Sequence, residues 1–350
     1  MSSSPTADYV IVGSGAGGGP LAVRLAAAGH SVIVLEAGER TTGLVYDVPV
    51  FHAFASEAAD MSWNFFVSHY DDETQAQRDH KYDAARGGVL YPRAATIGGC
   101  TAHNAMIMVC PNDSDWDAIA DLTEDPSWAA APMRKYFERL ERCTYRRKWV
   151  VTLLAPLGRL FDVFDLRGHG FDGWLPTSIV KPGLLAKDRQ LIRAVKSAAE
   201  KELSRLLGEP LKAWQRLSRR WFDPNIATAQ RKGALLGLWL IPLAIGSAYR
   251  RGTREPLLEM ADSPDTNLRI LSGCFATRLL FDKQNRCTGV EFVNGTHLYR
   301  ADPNVRTAAP GPAEVAVATR EVIVAGGAFN TPQLLKLSGI GPADELRAFG

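Results

Sequence analysis

The sequence predicts an α/β fold in which a mostly parallel sheet is interrupted by an inserted second domain. Three observations carry that expectation. Two β-branched apolar runs near the N-terminus are joined by a glycine-led helical stretch. A third run near the C-terminus is again followed by glycines, and a strongly basic segment lies between the two ends.

Tyr9-Val10-Ile11-Val12 is a short run of the kind that a strand covered on both faces needs. Gly13-Ser14-Gly15-Ala16-Gly17-Gly18 follows at once, in the pattern GxGxxG. Residues 20–28 (PLAVRLAAA) are rich in Ala and Leu, with Pro20 in the first turn and Gly29 as a stop, so they read as a helix. Residues 31–35 (SVIVL) read as the second strand, and Glu36 stands at its end.

Each part has a task in holding a dinucleotide. Gly13 permits the tight turn, Gly15 lets backbone approach a pyrophosphate, and Gly18 lets helix and strand pack closely. The helix N-terminus offers unpaired N–H groups to phosphate oxygens. Glu36 can accept hydrogen bonds from ribose hydroxyls, and its charge opposes a 2′-phosphate, which argues against NADP. The order strand, glycines, helix, strand, acid defines a Rossmann-type unit, and it serves FAD or NAD equally.

Further along, residues 91–106 are dense in small residues without a helical or strand period, and read as extended chain passing close to a ligand. Residues 321–325 (EVIVA) read as another buried strand, followed by Gly326, Gly327 and Ala328. Thr331-Pro332 predicts an N-cap with proline at the first helical position, and Gly339 predicts the end of that helix.

With these blocks in place, the sequence resembles the glucose–methanol–choline (GMC) family of FAD-dependent oxidoreductases, of choline dehydrogenase or choline oxidase type. The Gly13–Gly18 unit with Glu36-Ala37-Gly38 is one match. Ile97-Gly98-Gly99-Cys100 through Asn104-Ala105-Met106 is similar to the family's first signature. Residues 327–335 with Ser338-Gly339-Ile340-Gly341 are similar to its second. The resemblance implies that Gly13, Gly15, Ala16 and Gly18 face the FAD pyrophosphate, and that Glu36 and Ala37 lie at the adenosine ribose. Arg93, Thr96, Gly99, Asn104, Ala105, Met106 and Ile107 would run along the flavin and its ribityl chain. Ala276 would meet the adenine through its backbone, and Gly326, Gly327 and Ala328 would lie close to the cofactor. His103 stands where choline oxidases bond a histidine covalently to the flavin ring, so the resemblance implies either that bond or a non-covalent histidine beside the ring. Cys100 reads as a packing residue.

The implied chemistry is oxidation of an alcohol to an aldehyde or ketone, with O2 or a quinone as electron acceptor. The family's catalytic His and His/Asn pair has no match here, so no catalytic residue is expected within the chain, and the pair is expected beyond Gly350. His169 and His297 lie in the wrong contexts to replace it. An NAD-dependent Rossmann dehydrogenase and a non-catalytic flavin-binding remnant are the rival readings.

Charge marks the organisation. Residues 134–254 hold 25 Lys/Arg and 10 Asp/Glu, a net of +15, while the rest nets −13. The expected layout is therefore an FAD-binding domain over residues 1–140 and 250–350, with a partial substrate or cap domain over 141–249. Residues 188–207 read as an amphipathic helix with Leu191, Ile192, Val195, Ala198, Ala199 and Leu203 on one face. Basic groups such as Arg146-Arg147-Lys148, Arg219-Arg220 and Arg250-Arg251, beside apolar stretches, suit either a solvated face or peripheral contact with an anionic membrane. No recognition motif accompanies the charge, which argues against nucleic acid. The uncharged run 233–249 is short for a membrane span and contains Gly237, Pro242 and Gly246, so it reads as a core segment or strand pair. Five scattered cysteines without CxxC spacing, and histidines without metal-ligand spacing, fit a reducing compartment and no structural metal. Without a secretory signal at the N-terminus, the expectation is a cytoplasmic protein or one peripheral to the inner membrane.

Overall fold

In the computed structural model, Tyr9 to Val12 extend into a seven-residue strand, β1 (Thr6–Val12), at the middle of a six-stranded sheet. The structure describes residues 4–153, 167–179, 193, 197, 223–227, 239–305 and 311–349. The chain divides into two compact units, one comprising Met1–Ala105 with Gly252–Gly350 and the other Met106–Arg251. The charge pattern places the first boundary at residue 140. The difference comes from residues 106–133, which open the second unit with acids such as Asp113, Asp115, Asp117 and Asp121 and no Lys or Arg, so they read as part of the acidic portion.

The first unit is built on β1, β2 (Val32–Glu36), β10 (Leu268–Ser272), β11 (Cys274–Phe281), β12 (Cys287–Asn294) and β13 (Ala313–Val324), in the order β10-β2-β1-β13-β12-β11. The first four of that order run parallel, whereas β12 and β11 are antiparallel additions. This is a Rossmann-type α/β sheet. Helix α1 (Gly18–Ala27) returns from β1 to β2, and Gly29 at φ 89° ends the turn after it. The helix Arg254–Ala261 packs beside α1.

Alternation along the strands separates two cores, as a pleated sheet requires. Val10, Val12, Ile33 and Leu35 face one side, with Leu279, Val290 and Phe292. Ile11, Val32 and Val34 face the other, against Ala22, Ala26 and Leu257. Both faces are covered, which is why the strands read as continuous apolar runs rather than alternating ones. A second, three-stranded sheet, β3 (Ser62–Val67), β5 (Gly88–Ala94) and β4 (Tyr82–Asp83), lies in the same unit.

The C-terminal helix departs from expectation. It runs Gly327–Leu337, so Pro332 lies inside it and Thr331 is not its cap. Chain turning at Gly327, with φ 88°, starts the helix directly after β13. Proline there removes one backbone donor without ending the helix. Gly339, at φ 84°, terminates it as expected.

The second unit contains the helices Asp113–Thr123 and Ala130–Leu140 and a four-stranded sheet. Its strands are β6 (Glu141–Cys143), β7 (Leu175–Ser178), β8 (Leu243–Gly246) and β9 (Tyr249–Arg250). β8 and β9 form a hairpin, which places the end of the uncharged run 233–249 in a strand pair. Residues 233–238 lie outside the described residues, as do residues 219–220 and the span 188–207 apart from residues 193 and 197. Among the described residues, no helix is long and apolar enough to cross a membrane.

A buried ion cluster ties this second unit together. The His169 ring meets Glu141 Oε2 through Nδ1 and Asp223 Oδ2 through Nε2, both at 3.0 Å. Arg146 Nε donates to the same Asp223 oxygen at 2.7 Å, and Thr177 Oγ1 donates to Glu141 Oε1 at 2.6 Å. Burial by itself would lower the His169 pKa, but bonds to Asp223, Cys143 and Glu141 outweigh it and raise it to about 11. Glu141, Cys143 and His169 have ligand-type atoms within 4.8 Å of one another. With both ring nitrogens engaged by carboxylates, the arrangement is an imidazolium clamp rather than a metal centre.

Candidate functional site

The C-terminal ends of β1, β2 and β13 open on one cleft. Parallel sheets bind ligands at this edge, because the helices that follow the strands begin there. Gly13, Ser14, Gly15 and Ala16 line it after β1, Glu36 and Ala37 after β2, and Gly326, Gly327 and Ala328 after β13.

Gly13 adopts φ 94°, and a Cβ there would lie 2.5 Å from the Ala325 carbonyl oxygen, so only glycine lets the turn pass beneath β13. Gly18 lies at the helix–strand contact instead of on the cleft wall. A Cβ at Gly18 would sit 2.0 Å from the Gly13 oxygen and 3.1 Å from Ile11 Cγ2.

Glu36 is buried at the strand end. Its Oε2 accepts from Ser14 N at 2.9 Å and from Ser14 Oγ at 2.5 Å, and its Oε1 accepts from Gly38 N at 3.0 Å. Burial raises its pKa, and these donors offset part of the rise. A carboxylate offers about four acceptor positions. Ser14 uses two of them and the Ala37–Gly38 backbone bears on the rest, so the carboxylate holds the glycine loop against the turn after β2.

The other walls come from farther along the chain. Arg93 and Gly99 line the cleft, as does Ala276. Arg93 is the one Lys or Arg among the described lining residues. Thr96 is buried outside it, its hydroxyl donating to Glu39 O at 2.6 Å. His103, 7% exposed, and Asn104 follow the short 3₁₀ turn Gly99–Ala102, and neither they nor Ala105 is on the cleft wall. Met106 and Ile107 begin the second unit, Met106 in a left-handed conformation at φ 59°. Neither His169 nor His297 lines the cleft. His297 pairs with Asp302 at 3.1 Å and borders a neighbouring polar cavity.

Sequence reasoning missed the aromatic wall. Trp63, Phe275 and Phe329 line the cleft. Trp63 meets Tyr299 edge-on at 4.7 Å, Phe275 stacks on Tyr299 at 5.3 Å, and Phe65 stacks on Phe329 at 4.5 Å. The cluster of Trp63, Phe65 and Phe66 was a signal for it, but the partners come from β11 and from residues 299 and 329, which no local pattern joins. Cys100 and Cys274 also reach the cleft, and Cys274 is pushed up to about 11 by burial, so its thiol stays protonated.

This combination of strand-end cleft, left-handed glycine turn and acidic strand terminus is the arrangement of dinucleotide-binding sheets, and comparison with known proteins places it. A family model described as GMC oxidoreductase matches residues 8–347. The chain belongs to the GMC oxidoreductase family. This GMC chain is 29% identical over 348 residues to an oxygen-dependent choline dehydrogenase of Sinorhizobium medicae, covering 98% of the chain and 50% of that relative. It is 27% identical over 344 residues to an alcohol dehydrogenase (acceptor) of Pseudomonas putida, again covering 98% and 50%. Among solved structures, pyridoxine 4-oxidase from Mesorbium loti superposes with a TM-score of 0.64 at 22% identity, over 97% of the chain and 53% of that structure. A formate oxidase superposes with a TM-score of 0.65 at 21% identity, over 99% and 50%. At these identities the structural likeness carries the fold. The GMC chain spans about half the length of the curated relatives it matches.

Proposed function

We propose that this GMC chain holds FAD in the strand-end cleft and serves an oxidoreductase acting on CH–OH donors. The observation that carries the reading is the convergence of Gly13, Gly15, Glu36, Gly99 and Gly326 on one cleft, from segments more than 300 residues apart. The residues suit the group. Gly13 and Gly15 present bare backbone for a pyrophosphate, and α1 begins at Gly18 with no side-chain cap over its N-terminal N–H groups. Arg93 supplies a positive charge on the wall, Glu36 stands at the end of β2 on the cleft wall where a ribose hydroxyl would meet it, and Trp63, Phe275 and Phe329 add aromatic surface that suits a planar ring.

Bound there, FAD would supply the hydride acceptor for oxidation of an alcohol carbon. The chain's own residues bind and orient it. Among the described residues, none of those lining the cleft is a histidine, and we assign no proton acceptor within the chain. The proposed donor is an alcohol and the proposed final acceptor O2 or a quinone, a reading supported by the alcohol dehydrogenase (acceptor) and the oxygen-dependent choline dehydrogenase among the relatives. The domain roles follow the same reading, the first unit holding the cofactor and the second meeting substrate or partner.

His103 favours non-covalent holding, since its buried ring is not on the cleft wall. Denaturing the flavin-loaded chain is expected to release yellow FAD, and colour retained on the denatured polypeptide would instead establish the bond. The central test is to incubate the purified chain with FAD or NAD, remove free ligand by gel filtration, and record the spectrum. We expect flavin absorbance to travel with the protein. A colourless protein that retains NAD would overturn the assignment.

A further inference from the structure

We propose that Thr253 is a positioning residue that fixes the spacing of the two glycine loops lining the cleft, and through it the grip on the dinucleotide. The proposal rests on the FAD reading above for its ligand, and on the fold alone for its mechanics.

The two loops are Gly13–Gly15 and Gly98–Gly99, with φ of 94° at Gly13, 97° at Gly98 and 54° at Gly99. They touch backbone to backbone. A Cβ on Gly99 would lie 2.7 Å from Gly15 Cα. The glycines themselves have no side chain to lock them, so the spacing depends on Ser14 Oγ on one side and on a group outside the loops on the other.

Thr253 supplies that group. Its single O–H proton is shared between the Gly98 carbonyl oxygen at 3.2 Å and the Ser14 carbonyl oxygen at 3.4 Å, one acceptor in each loop. Thr253 Oγ1 also lies 3.0 Å from Thr101 Oγ1, which donates to Gly98 O at 2.7 Å and accepts from Thr253 N at 3.2 Å. On the far side, Ser14 Oγ accepts from Gly98 N at 2.9 Å while donating to Glu36. Thr253 also packs on α1, where a Cβ on Gly19 would come 3.1 Å from Thr253 Cβ and 3.4 Å from its Oγ1.

The position of Thr253 is what gives this arrangement direction. It is the N-cap of the helix Arg254–Ala261, where a threonine hydroxyl ordinarily accepts from its own helix. Here it makes no such cap, its backbone is already helical at φ −74°, ψ −22°, and Glu255 accepts from Gly252 N at 2.6 Å. The hydroxyl is 3% exposed as a residue and turned to the two loops instead. With its backbone helical, Thr253 has no cap geometry of its own, and its hydroxyl bonds lie with the two loops.

The test compares Thr253→Val, which keeps shape and loses the hydroxyl, with Thr253→Ser, which keeps the hydroxyl. Thr319→Val is the control, since its exposed hydroxyl lies on the same unit away from the cleft. FAD affinity is measured by quenching of flavin fluorescence, and amide exchange at Gly98 is measured without FAD. Loss of one such bond corresponds to roughly a tenfold effect. We expect Thr253→Val to weaken FAD binding by about tenfold and to speed Gly98 exchange similarly, with Thr253→Ser and Thr319→Val near the parent. Equal weakening by Val and Ser, or parent-like binding and exchange in Thr253→Val, overturns the proposal. If the parent itself takes up no FAD, the cofactor reading fails, and the exchange comparison alone decides the role of Thr253. Should Thr253→Val not fold, Thr101→Val carries the same expectation and the same refutation.

Discussion

At the scale of the residue, the cleft depends on groups whose alternatives can be ranked by distance. Gly17 and Gly18 are neighbours in one loop, yet they differ sharply. A Cβ at Gly17 would meet Ala325 Cβ at 4.0 Å, an ordinary contact, whereas one at Gly18 would sit 2.0 Å from a backbone oxygen. Gly17→Ala is therefore expected to leave thermal stability within about 0.5 kcal/mol, and Gly18→Ala to cost about 1–3 kcal/mol by forcing α1 away from β1. Thermal unfolding of the two variants side by side checks this, and equal melting points would refute the close-packing role. Glu36 offers a second contrast. The donors around it all point at carboxylate oxygens, so Glu36→Gln must turn an NH2 group toward a donor. A loss of about 1–3 kcal/mol is expected in the cofactor-free chain, with weakened FAD uptake, and an unchanged melting curve would show that the carboxylate does not hold the loop.

At the scale of the element, the second unit's segments are joined by charge, and this gives a pH dependence with a definite sign. The clamp brings β6, through Glu141, against the segments carrying His169 and Asp223, with Arg146 on Asp223 and the Tyr145 ring edge-on to His169. The His169 pKa rises from 6.5 to about 11, so its stabilisation is complete below pH 6.5 and fades as pH climbs toward 11. Burial would raise the Asp223 pKa, but bonds to His169 and Arg146 hold it below 3.8, so its contribution is present above that value and lost as acid overtakes it. The second unit is thus expected to be most stable from about pH 4 to 6.5, and His169→Gln to remove about 3–5 kcal/mol along with most of the alkaline slope. A variant whose melting temperature keeps the parent's pH profile would refute the clamp. No sequence signal foretold it, because Glu141, His169 and Asp223 are separated by 28 and 54 residues and share no motif. The first unit was far more legible. β1, α1, β2 and the end of β13 follow from apolar runs and glycines, since strands covered on both faces leave a local trace. Pro332 misled, because a helix that starts at a left-handed Gly327 precedes the signal a proline gives. The aromatic wall was hidden for the same reason as the clamp, being assembled from β3, β11 and residue 329.

At the scale of the whole molecule, charge, core and cleft divide in the same way. Residues 106–251 carry 24 basic and 16 acidic residues, a net of +8, and the first unit nets −6. Each unit also has its own interior. The two sheet cores, and the smaller cluster of Tyr46, Met61 and Ala102, draw on the first unit alone, while Met106, Leu175 and Ala244 form a core of the second. Every residue lining the strand-end cleft belongs to the first unit. Its two chain segments meet where the insertion leaves and returns, Thr253 N donating to Thr101 Oγ1 at 3.2 Å, so a short bridge can close the gap. A domain with its own core and adjacent ends is able to fold alone. Replacing residues 106–251 by a brief Gly/Ser linker is therefore expected to give a chain of about 200 residues that unfolds in one cooperative transition and still takes up FAD. Calorimetry and the flavin spectrum after gel filtration read the two properties separately. A broad, non-cooperative melt would show that the first unit's cores are not self-sufficient. Cooperative unfolding without flavin uptake would instead show that the cleft is formed but that its grip on FAD draws on the excised residues.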